Sequence, residues 1–400
     1  MGTYYRKCDV LIFSADFGTG HHQVSNALKT AIEQIRPSWK IDIYNFFNYV
    51  DPLFNRLLKF GYLQMIKHFS YGYEWFYKAT RDIDPDSKWQ RFLNGMGQYK
   101  LLNLIEKCSP KVIICTYPTP AGVVSHLKGK GKIDIPLVTV ITDVAVHSQW
   151  IHSNVDAYIV AAETVATRLA QKGIPKNRIF VTGIPLRPQF ERPIVDTNIW
   201  DKYGLDPNLF TIIVMGGGKG LMPGIETVCS KLAELLTPLQ IVAITGTNKT
   251  LARKLETLSE SSPNPIHVLG YIDDIASLMK ISHLLVTKAG GVTVFEALAS
   301  KLPMVLYKPI PGHEMCNVEF LLKNGAALMA NTENEAVSHI KTILENPVIL
   351  EDMVNAIEPI SKPFASRDAC NVIVSLAEAN KKNKAIDEID EQRMHKHLYA

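Results

Sequence analysis

Twelve short apolar runs rich in branched residues alternate with longer segments of helical periodicity along this 400-residue chain. Strands and helices in this order form parallel sheets covered by helices, so the pattern predicts an α/β fold. The predicted strands of the first half are Val10–Ser14, Ile41–Tyr44, Val112–Thr116, Leu137–Thr142, Tyr158–Ala161 and Ile179–Thr182. Those of the second half are Phe210–Met215, Ile241–Thr245, Ile266–Leu269, Leu284–Thr287, Met304–Tyr307 and Ala326–Met329. The length indicates two domains of about 150–200 residues each.

Both halves open with a strand that runs into a glycine-rich turn and then a helix. The turns are Gly18-Thr19-Gly20 and Gly216-Gly217-Gly218. Backbone amides in such turns approach phosphates closely, and the following helix N-terminus attracts negative charge. Two Rossmann-like, doubly wound domains with a nucleotide ligand are therefore predicted. Neither turn has dinucleotide-fingerprint spacing, and no Walker A loop is present, so each turn alone is weak evidence.

A third small-residue turn, Thr287 to Ala297, is more specific. The amides of Gly290, Gly291 and Thr293 are placed to hold a diphosphate, and Glu296, one turn into the helix, is placed to accept both hydroxyls of a ribose. Polar side chains that follow the next strand should lie at the same edge of the sheet. We expect these to grip sugar hydroxyls; they are His313, Glu314 and Asn317.

The cysteines and the apolar runs limit the cellular setting. Six cysteines without C-x-x-C spacing predict reduced core thiols, with neither a disulfide framework nor a zinc site. The first apolar stretch, Val10 to Phe13, is too short for a signal peptide, and no run approaches the roughly 18 residues of a membrane span. We therefore expect any membrane contact to be peripheral.

Charge and aromatic residues are concentrated in one segment. Residues 52–132 hold 13 Lys and Arg against 5 Asp and Glu, in a chain whose net charge is only +4, and residues 44–99 hold 16 of the 35 aromatics. Rings interleaved with cations predict an element that docks on anionic lipid. The side chains proposed for this contact are Lys59, Lys67, Trp75, Phe76, Tyr77 and Lys78. Packing within a helical core is the alternative; single-stranded nucleic acid is disfavoured because no RNA-binding motif accompanies the aromatics.

Five segments together resemble one family. They are Asp16 to His21, Thr142-Asp143, Gly183 to Phe190, Thr287 to Ala297 and Lys308 to Glu314. In order, from about residue 8 to 378, they are similar to the processive diacylglycerol glucosyltransferases and monogalactosyldiacylglycerol synthases, and more distantly to the N-acetylglucosaminyltransferase of the lipid II pathway. The resemblance implies a GT-B fold: an acceptor and membrane-docking domain over residues 1–190, a UDP-sugar domain over 191–362, a cleft between them, a helix over 363–380 that returns to the first domain, and a charged tail over 381–400.

The same resemblance implies an inverting, metal-independent transfer of a hexose from a UDP-sugar to diacylglycerol at the cytoplasmic face of the cell membrane, without a cofactor. Glucose is favoured over galactose, and the number of sugars added stays open. His21 corresponds to the histidine at the catalytic centre. Asp143 is either the general base or the carboxylate that orients His21. No Asp-x-Asp motif suited to a metal lies at a strand end. The diphosphate of the donor is therefore expected to be held by the protein itself, through Gly20, the Gly290-Gly291 turn and the turn that contains Gly217, Gly218 and Lys219.

One position departs from the family pattern. The family usually has glutamine after Pro-Gly, whereas this chain has His313, which offers one donor and one acceptor on a stiffer ring. Three alternatives stay open: a UDP-N-acetylglucosamine-type transferase to another lipid, a UDP-sugar epimerase, and a UDP-sugar sensor. An epimerase has no lipid acceptor, so it would not need the aromatic, basic segment. The presence of both His21 and Asp143 argues against a sensor.

Overall fold

The computed structural model describes residues 7–16, 19–68, 87, 95, 97–193, 198–218, 220 and 222–380. Twelve strands form two six-stranded sheets, and every neighbouring pair is parallel. The strands of the first sheet are β1 (Val10–Ser14), β2 (Ile41–Asn45), β3 (Val112–Cys115), β4 (Leu137–Val140), β5 (Ala157–Val160) and β6 (Ile179–Val181). Those of the second are β7 (Phe210–Met215), β8 (Leu239–Ile244), β9 (Ile266–Leu269), β10 (Leu284–Thr287), β11 (Met304–Tyr307) and β12 (Ala327–Ala330).

The strand order places a crevice in each sheet. The orders are β2-β1-β3-β4-β5-β6 and β12-β11-β10-β7-β8-β9. The strand order reverses between β1 and β3 in the first sheet and between β7 and β10 in the second. In doubly wound sheets, ligands bind outside the carboxyl ends of the strands at such points. The predicted fold class is confirmed, and the predicted strand ends differ from the observed ends by at most two residues.

Helices connect most of the strands and cover the sheets. The first, Gly20–Ile35, turns Val24, Leu28 and Ile32 inward at a spacing of four residues, which is one stripe of a helix. The remaining helices are Phe46–Val50, Pro52–His68, Gln98–Cys108, Pro118–Gly129, Glu163–Gln171, Ile199–Tyr203, Ile225–Ala233, Lys249–Ser259, Ile275–Ile281, Gly291–Ala299, His313–Lys323, Glu333–Glu345, Pro347–Ile357 and residues 365–380.

The helix over residues 365–380 packs against the first half of the chain. The thiol of Cys370 contacts the carbonyl oxygen of Leu28, and Arg36 forms an ion pair with Glu378 at 2.8 Å. The last helix therefore ties the end of the second half to the first sheet. The predicted domain boundaries stay predictions, and residues 381–400 lie outside the described residues.

The cysteines and the lengths of the helices bear on the expected thiols and membrane contact. All six cysteines are buried and free of disulfide bonds. Among the described residues, no helix is both long and apolar enough to cross a bilayer. Of the proposed lipid contacts, Trp75, Phe76, Tyr77 and Lys78 lie outside the described residues, as does the side chain of Lys67.

Candidate functional site

His21 lies in the first turn of the first helix, and two oxygen atoms contact its Nδ1. Its Nδ1 lies 2.7 Å from the carbonyl oxygen of Thr116 and 3.2 Å from the hydroxyl of Thr142. A carbonyl oxygen only accepts hydrogen bonds, so Nδ1 carries the proton and the neutral ring keeps its lone pair on Nε2. The edge of the ring also meets Tyr117, with the centroids 5.1 Å apart. This arrangement fixes the tautomer and the orientation that a general base requires.

Asp143 follows β4 where the chain has left the sheet. The strand was predicted to continue to Thr142 but ends at Val140, because the next residues turn toward the second domain and bring Thr142 to His21. Asp143 Oδ1 accepts a hydrogen bond from Asn317 Nδ2 at 3.2 Å. Burial raises the pKa of Asp143 to about 7, although the bond from Asn317 opposes the shift. A carboxyl group with this pKa exchanges protons near neutrality.

Asn317 joins the two domains through a single side chain. Its Oδ1 accepts from the backbone N–H of Val144 at 2.9 Å, and its Nδ2 donates to the carbonyl oxygen of Ala289 at 2.8 Å as well as to Asp143. The side chain is completely buried. We call this set of bonds the Asn317 contact. In this arrangement both amide hydrogens serve the protein rather than a sugar.

Gly291, at the start of its helix, lies at a close approach of the two domains. A Cβ atom at this position would lie 2.1 Å from the carbonyl oxygen of Thr142 and 2.7 Å from Asp143 Oδ1. Any other residue would force the domains apart. The N-terminus of the helix Gly291–Ala299 thereby faces Asp143 and the region of His21, which places its positive end beside the predicted chemistry.

The turn after β7 forms a second close approach. Gly217 has φ of 69°, a left-handed conformation that favours glycine. A Cβ on Gly218 would lie 3.3 Å from the Thr19 methyl group, and one on Gly20 would lie 3.3 Å from a methyl of Val292. Both contacts cross between the domains. The predicted phosphate turns are thus brought together, while Lys219 lies outside the described residues.

Glu296 is buried, with only 3% of its surface exposed, and forms an ion pair with Arg187 at 3.0 Å. Burial raises the pKa of Glu296, and the Arg187 guanidinium opposes that shift. Arg187 also donates to the carbonyl oxygen of Asp273 at 2.9 Å, and its buried Nε has no hydrogen-bond partner among the described residues. The pair was not predicted, although both residues belong to the segments that carry the family resemblance.

A cavity of about 40 Å³ lies beside this pair. We call it the Glu296 cavity; its volume has room for a few water molecules and is too small for a nucleoside diphosphate. Four predicted donor residues line it, Gly217, Gly218, Thr293 and Glu296, together with residues of both domains that were not predicted. The lining residues are Thr19, Gln23, Arg187, Met215, Gly217, Gly218, Ile244, Gly246, Tyr271, Ile272, Ile275, Thr293 and Glu296. The one missed signal in the sequence is Gly246, a glycine two residues after the end of β8.

The loop after β11 is held in place by two acidic side chains, Glu333 and Glu314. Lys308 adopts a left-handed conformation with φ of 45°, and its ammonium group is paired with Glu333 at 2.6 Å. Glu314 is 4% exposed, and its Oε2 accepts from the backbone N–H of Ile310 at 2.6 Å. That carboxylate therefore shapes its own loop. His313 begins the next helix, and its side chain lies outside the described residues.

A larger cavity of about 350 Å³ lies beside the segment where the chain crosses back to the first domain. It is lined from both domains, with Arg168, Lys323 and Lys362 among its charged residues and Phe320 and Ile360 among its apolar ones. None of the predicted site residues borders it. The interface is thus closely packed at Gly291 and loosely packed at this crossing.

The helix Pro52–His68 carries part of the aromatic, basic segment. Leu53, Leu57 and Phe60, spaced by four and three residues, are 71%, 71% and 64% exposed. They form an apolar stripe on the surface. Lys59, a proposed lipid contact, is half-buried and paired with Asp16 near the first glycine turn. Its charge is thus partly balanced within the protein.

Comparisons with known proteins cover both halves. The model of the monogalactosyldiacylglycerol (MGDG) synthase family matches residues 21–186, and that of the glycosyltransferase family 28 C-terminal domain matches residues 211–358. The chain is 32% identical to the processive diacylglycerol beta-glucosyltransferase of Bacillus pumilus, over 94% of this chain and 97% of that one. It is 33% identical to the Bacillus subtilis protein of the same description, over 88% and 91% of the two chains.

Solved structures share the architecture at much lower identity. Acinetobacter baumannii MurG aligns with a TM-score of 0.60 at 16% identity, over 92% of this chain and 100% of that one. The UDP-GlcNAc 2-epimerase from Neisseria meningitidis aligns with a TM-score of 0.59 at 14% identity, over 92% and 98%. A transferase and an epimerase fit equally well, so these likenesses show the GT-B fold alone.

Proposed function

The chain belongs to the family of the processive diacylglycerol beta-glucosyltransferases, and from this premise we propose that it transfers a hexose from a UDP-sugar to diacylglycerol for membrane glycolipid synthesis. The observation that carries the proposal is the position of His21. Its base nitrogen is fixed at the carboxyl edge of the first sheet, and the first helix contacts the helix whose N-terminus supplies the predicted diphosphate site. Glucose is the favoured donor because the relatives are described as glucosyltransferases.

We assign removal of the acceptor proton to His21. The bond from Nδ1 to the Thr116 carbonyl leaves the lone pair on Nε2, which can accept the proton of the acceptor hydroxyl. The acceptor hydroxyl attacks the anomeric carbon from the face opposite UDP, so a single displacement inverts the configuration. Asp143 is then a positioning residue, since its carboxylate is bound by Asn317 at the interface.

The departing UDP carries negative charge that the protein must stabilise. The N-terminus of the helix Gly291–Ala299 supplies backbone amides, with Thr293 facing the Glu296 cavity. Oriented amides at a helix start stabilise a diphosphate without reorganisation. Glu296 is buried beside Arg187 at the same cavity, where a carboxylate can accept ribose hydroxyls once the cavity has widened.

The exposed stripe of the helix Pro52–His68 supports docking on a membrane. Leu53, Leu57 and Phe60 insert at the headgroup boundary, and exposed Arg56 beside them meets anionic lipid. A peripheral position at the cytoplasmic face brings diacylglycerol to the first domain. Sedimentation with vesicles tests this: Leu53→Ser with Phe60→Ser should weaken binding at every ionic strength, whereas Arg56→Glu with Lys67→Glu should weaken it mainly at low salt. Equal binding of all variants to neutral and anionic vesicles would refute docking through this helix.

The decisive experiment for the activity is incubation with labelled UDP-glucose or UDP-galactose, with and without diacylglycerol vesicles. We expect label in the lipid fraction only when diacylglycerol is present, and faster transfer from UDP-glucose. His21→Ala protein is the control for background hydrolysis. Label confined to a water-soluble sugar would refute lipid transfer and favour the epimerase.

A further inference from the structure

Two thiols and a carboxylate meet at the amino edge of the first sheet. The Sγ atoms of Cys8 and Cys108 and a carboxylate oxygen of Asp42 all lie within 4.8 Å of one another. Both cysteines are buried, and Asp42 is half-buried. His21 lies beyond the carboxyl end of the same sheet, a strand length of roughly 16 Å away. The cluster is therefore separate from the catalytic region.

The fold positions these residues through its backbone. The N–H of Cys8 donates to the carbonyl oxygen of Cys108 at 3.1 Å, which ties the approach to β1 to the end of the helix Gln98–Cys108. Asp42 lies in β2, where Leu11 is its partner in the parallel register. The segment before β1, the strand β2 and a helix end thus each contribute one side chain.

The charge at this cluster is not balanced within the described part of the chain. No hydrogen bond or ion pair to the Asp42 carboxylate occurs among the described residues. An uncompensated carboxylate beside two thiols favours a bound cation, and a metal ion deprotonates its thiol ligands when it binds.

We propose that Cys8, Cys108 and Asp42 bind one zinc ion, with water as its fourth ligand. Two thiolates and a carboxylate are a ligand set that zinc accepts in tetrahedral geometry. Zinc–sulfur bonds of about 2.3 Å require only a small inward movement of the three side chains. Binding releases the two thiol protons to solvent, and the ion joins β1, β2 and the helix end as a structural clip.

Sequence spacing could not reveal this site. Without a C-x-x-C pair, the sequence predicts no zinc site, because nothing in it indicates that a cysteine before β1 meets one at the end of a helix about 100 residues later. The parallel order β2-β1-β3 brings them together.

The test uses the full-length protein, stripped with a chelator and then titrated with zinc chloride in a calorimeter. We expect one zinc ion per chain, an increased Tm, and thiolate-to-metal charge-transfer absorption when cobalt replaces zinc. Cys8→Ser and Cys108→Ser should weaken affinity by a hundredfold or more, and Asp42→Asn by about tenfold. Cys229→Ser, which removes a buried thiol in the helix Ile225–Ala233, is the matched control and should bind zinc normally. No uptake by the wild type, or equal uptake by Cys8→Ser, would overturn the site.

A second measurement keeps the proposal testable if the serine variants do not fold. Zinc should slow alkylation of Cys8 and Cys108 in the wild-type protein while leaving alkylation of Cys229 unchanged, as followed by peptide mass spectrometry. Alkylation rates unaffected by zinc would overturn the proposal. So would a Cys8–Cys108 disulfide in the metal-free protein as isolated, since the pair would then be a redox pair.

Discussion

The Asn317 contact and the Glu296 cavity lie at the same domain interface but differ in how completely they are packed. At the Asn317 contact the domains touch, and one amide group pairs with Asp143, Val144 and Ala289. At the Glu296 cavity the domains leave about 40 Å³, and Arg187 keeps an unpaired Nε there. The polar atoms of Asn317 are thus paired within the protein, whereas the Arg187 Nε has no hydrogen-bond partner among the described residues. If His21 and Glu296 have the roles proposed for them, the catalytic side is preorganised, whereas the nucleotide side must widen before UDP enters.

Removing the base should have the largest effect on the catalytic side. We expect His21→Ala to lower kcat by about 10²- to 10⁴-fold, because general base catalysis contributes on this scale. UDP affinity should stay close to that of the wild type. Steady-state kinetics together with calorimetry measure both quantities. His22→Ala is the matched control, since His22 is exposed and bonded to Asn26; an equal loss in both variants would refute the assignment.

The Asn317 contact can be broken without touching His21. Asn317→Ala leaves the Val144 N–H and the Ala289 carbonyl buried and unpaired, at about 1–3 kcal/mol for each group. We expect kcat to fall by roughly ten- to a thousandfold, with a decreased Tm. Asn324→Ala, near the end of the same helix, removes an amide bonded only to the carbonyl oxygen of Phe320 among the described residues and serves as the control. Wild-type kcat in Asn317→Ala would show that the working enzyme does not use this contact.

The Glu296 cavity should respond in binding rather than in chemistry. Glu296→Ala removes the carboxylate proposed for the ribose and should weaken UDP affinity by about 1.5–3 kcal/mol, with the fold intact. Calorimetry with UDP measures this directly. Glu256→Ala, an exposed position on the helix Lys249–Ser259, controls for a general loss of charge. Unchanged affinity in Glu296→Ala would place the nucleotide elsewhere.

A smaller effect, on stability, follows from Asp143. Its folded pKa of about 7 exceeds the unfolded value of about 3.9, so the folded chain retains a proton that the unfolded chain loses between these values. The free energy of unfolding of the wild type therefore decreases as pH rises from about 4 to about 7. Asp143→Asn lacks this titration, and its stability relative to wild type should rise across that window and level off above it. Urea unfolding of both proteins at several pH values measures the difference.

The smallest expected effect is that of a chelator on activity. Helix-end amides at Gly291 can carry the diphosphate charge, so transfer should persist in EDTA. A chelator should instead lower the Tm through the zinc site proposed at Cys8. Loss of activity that Mg²⁺ or Mn²⁺ restores while Zn²⁺ does not would contradict the metal-free mechanism and leave the zinc proposal standing.

Features formed by neighbouring residues were predicted from the sequence, whereas contacts between distant residues were not. All twelve strands and the glycine turns were predicted, since apolar runs and turns are read from neighbouring residues. The bonds of Asn317 were not, because they join residues of both domains that only the assembled interface brings together. The same holds for Arg187 and Glu296. For Asn317 and Glu314, sequence placed the side chain at the correct edge of the sheet but could not tell that its polar atoms are occupied by the protein.

Gly291 gives the interface an unusual mechanical property. A single methyl group there would occupy the space of the Thr142 carbonyl oxygen, while the helix around it would tolerate alanine well. Gly291→Ala should therefore keep the two domains apart while leaving each domain able to fold. An enzyme propped open in this way should retain its substrates without turning them over, which would provide a route to trapping the loaded state for crystallography.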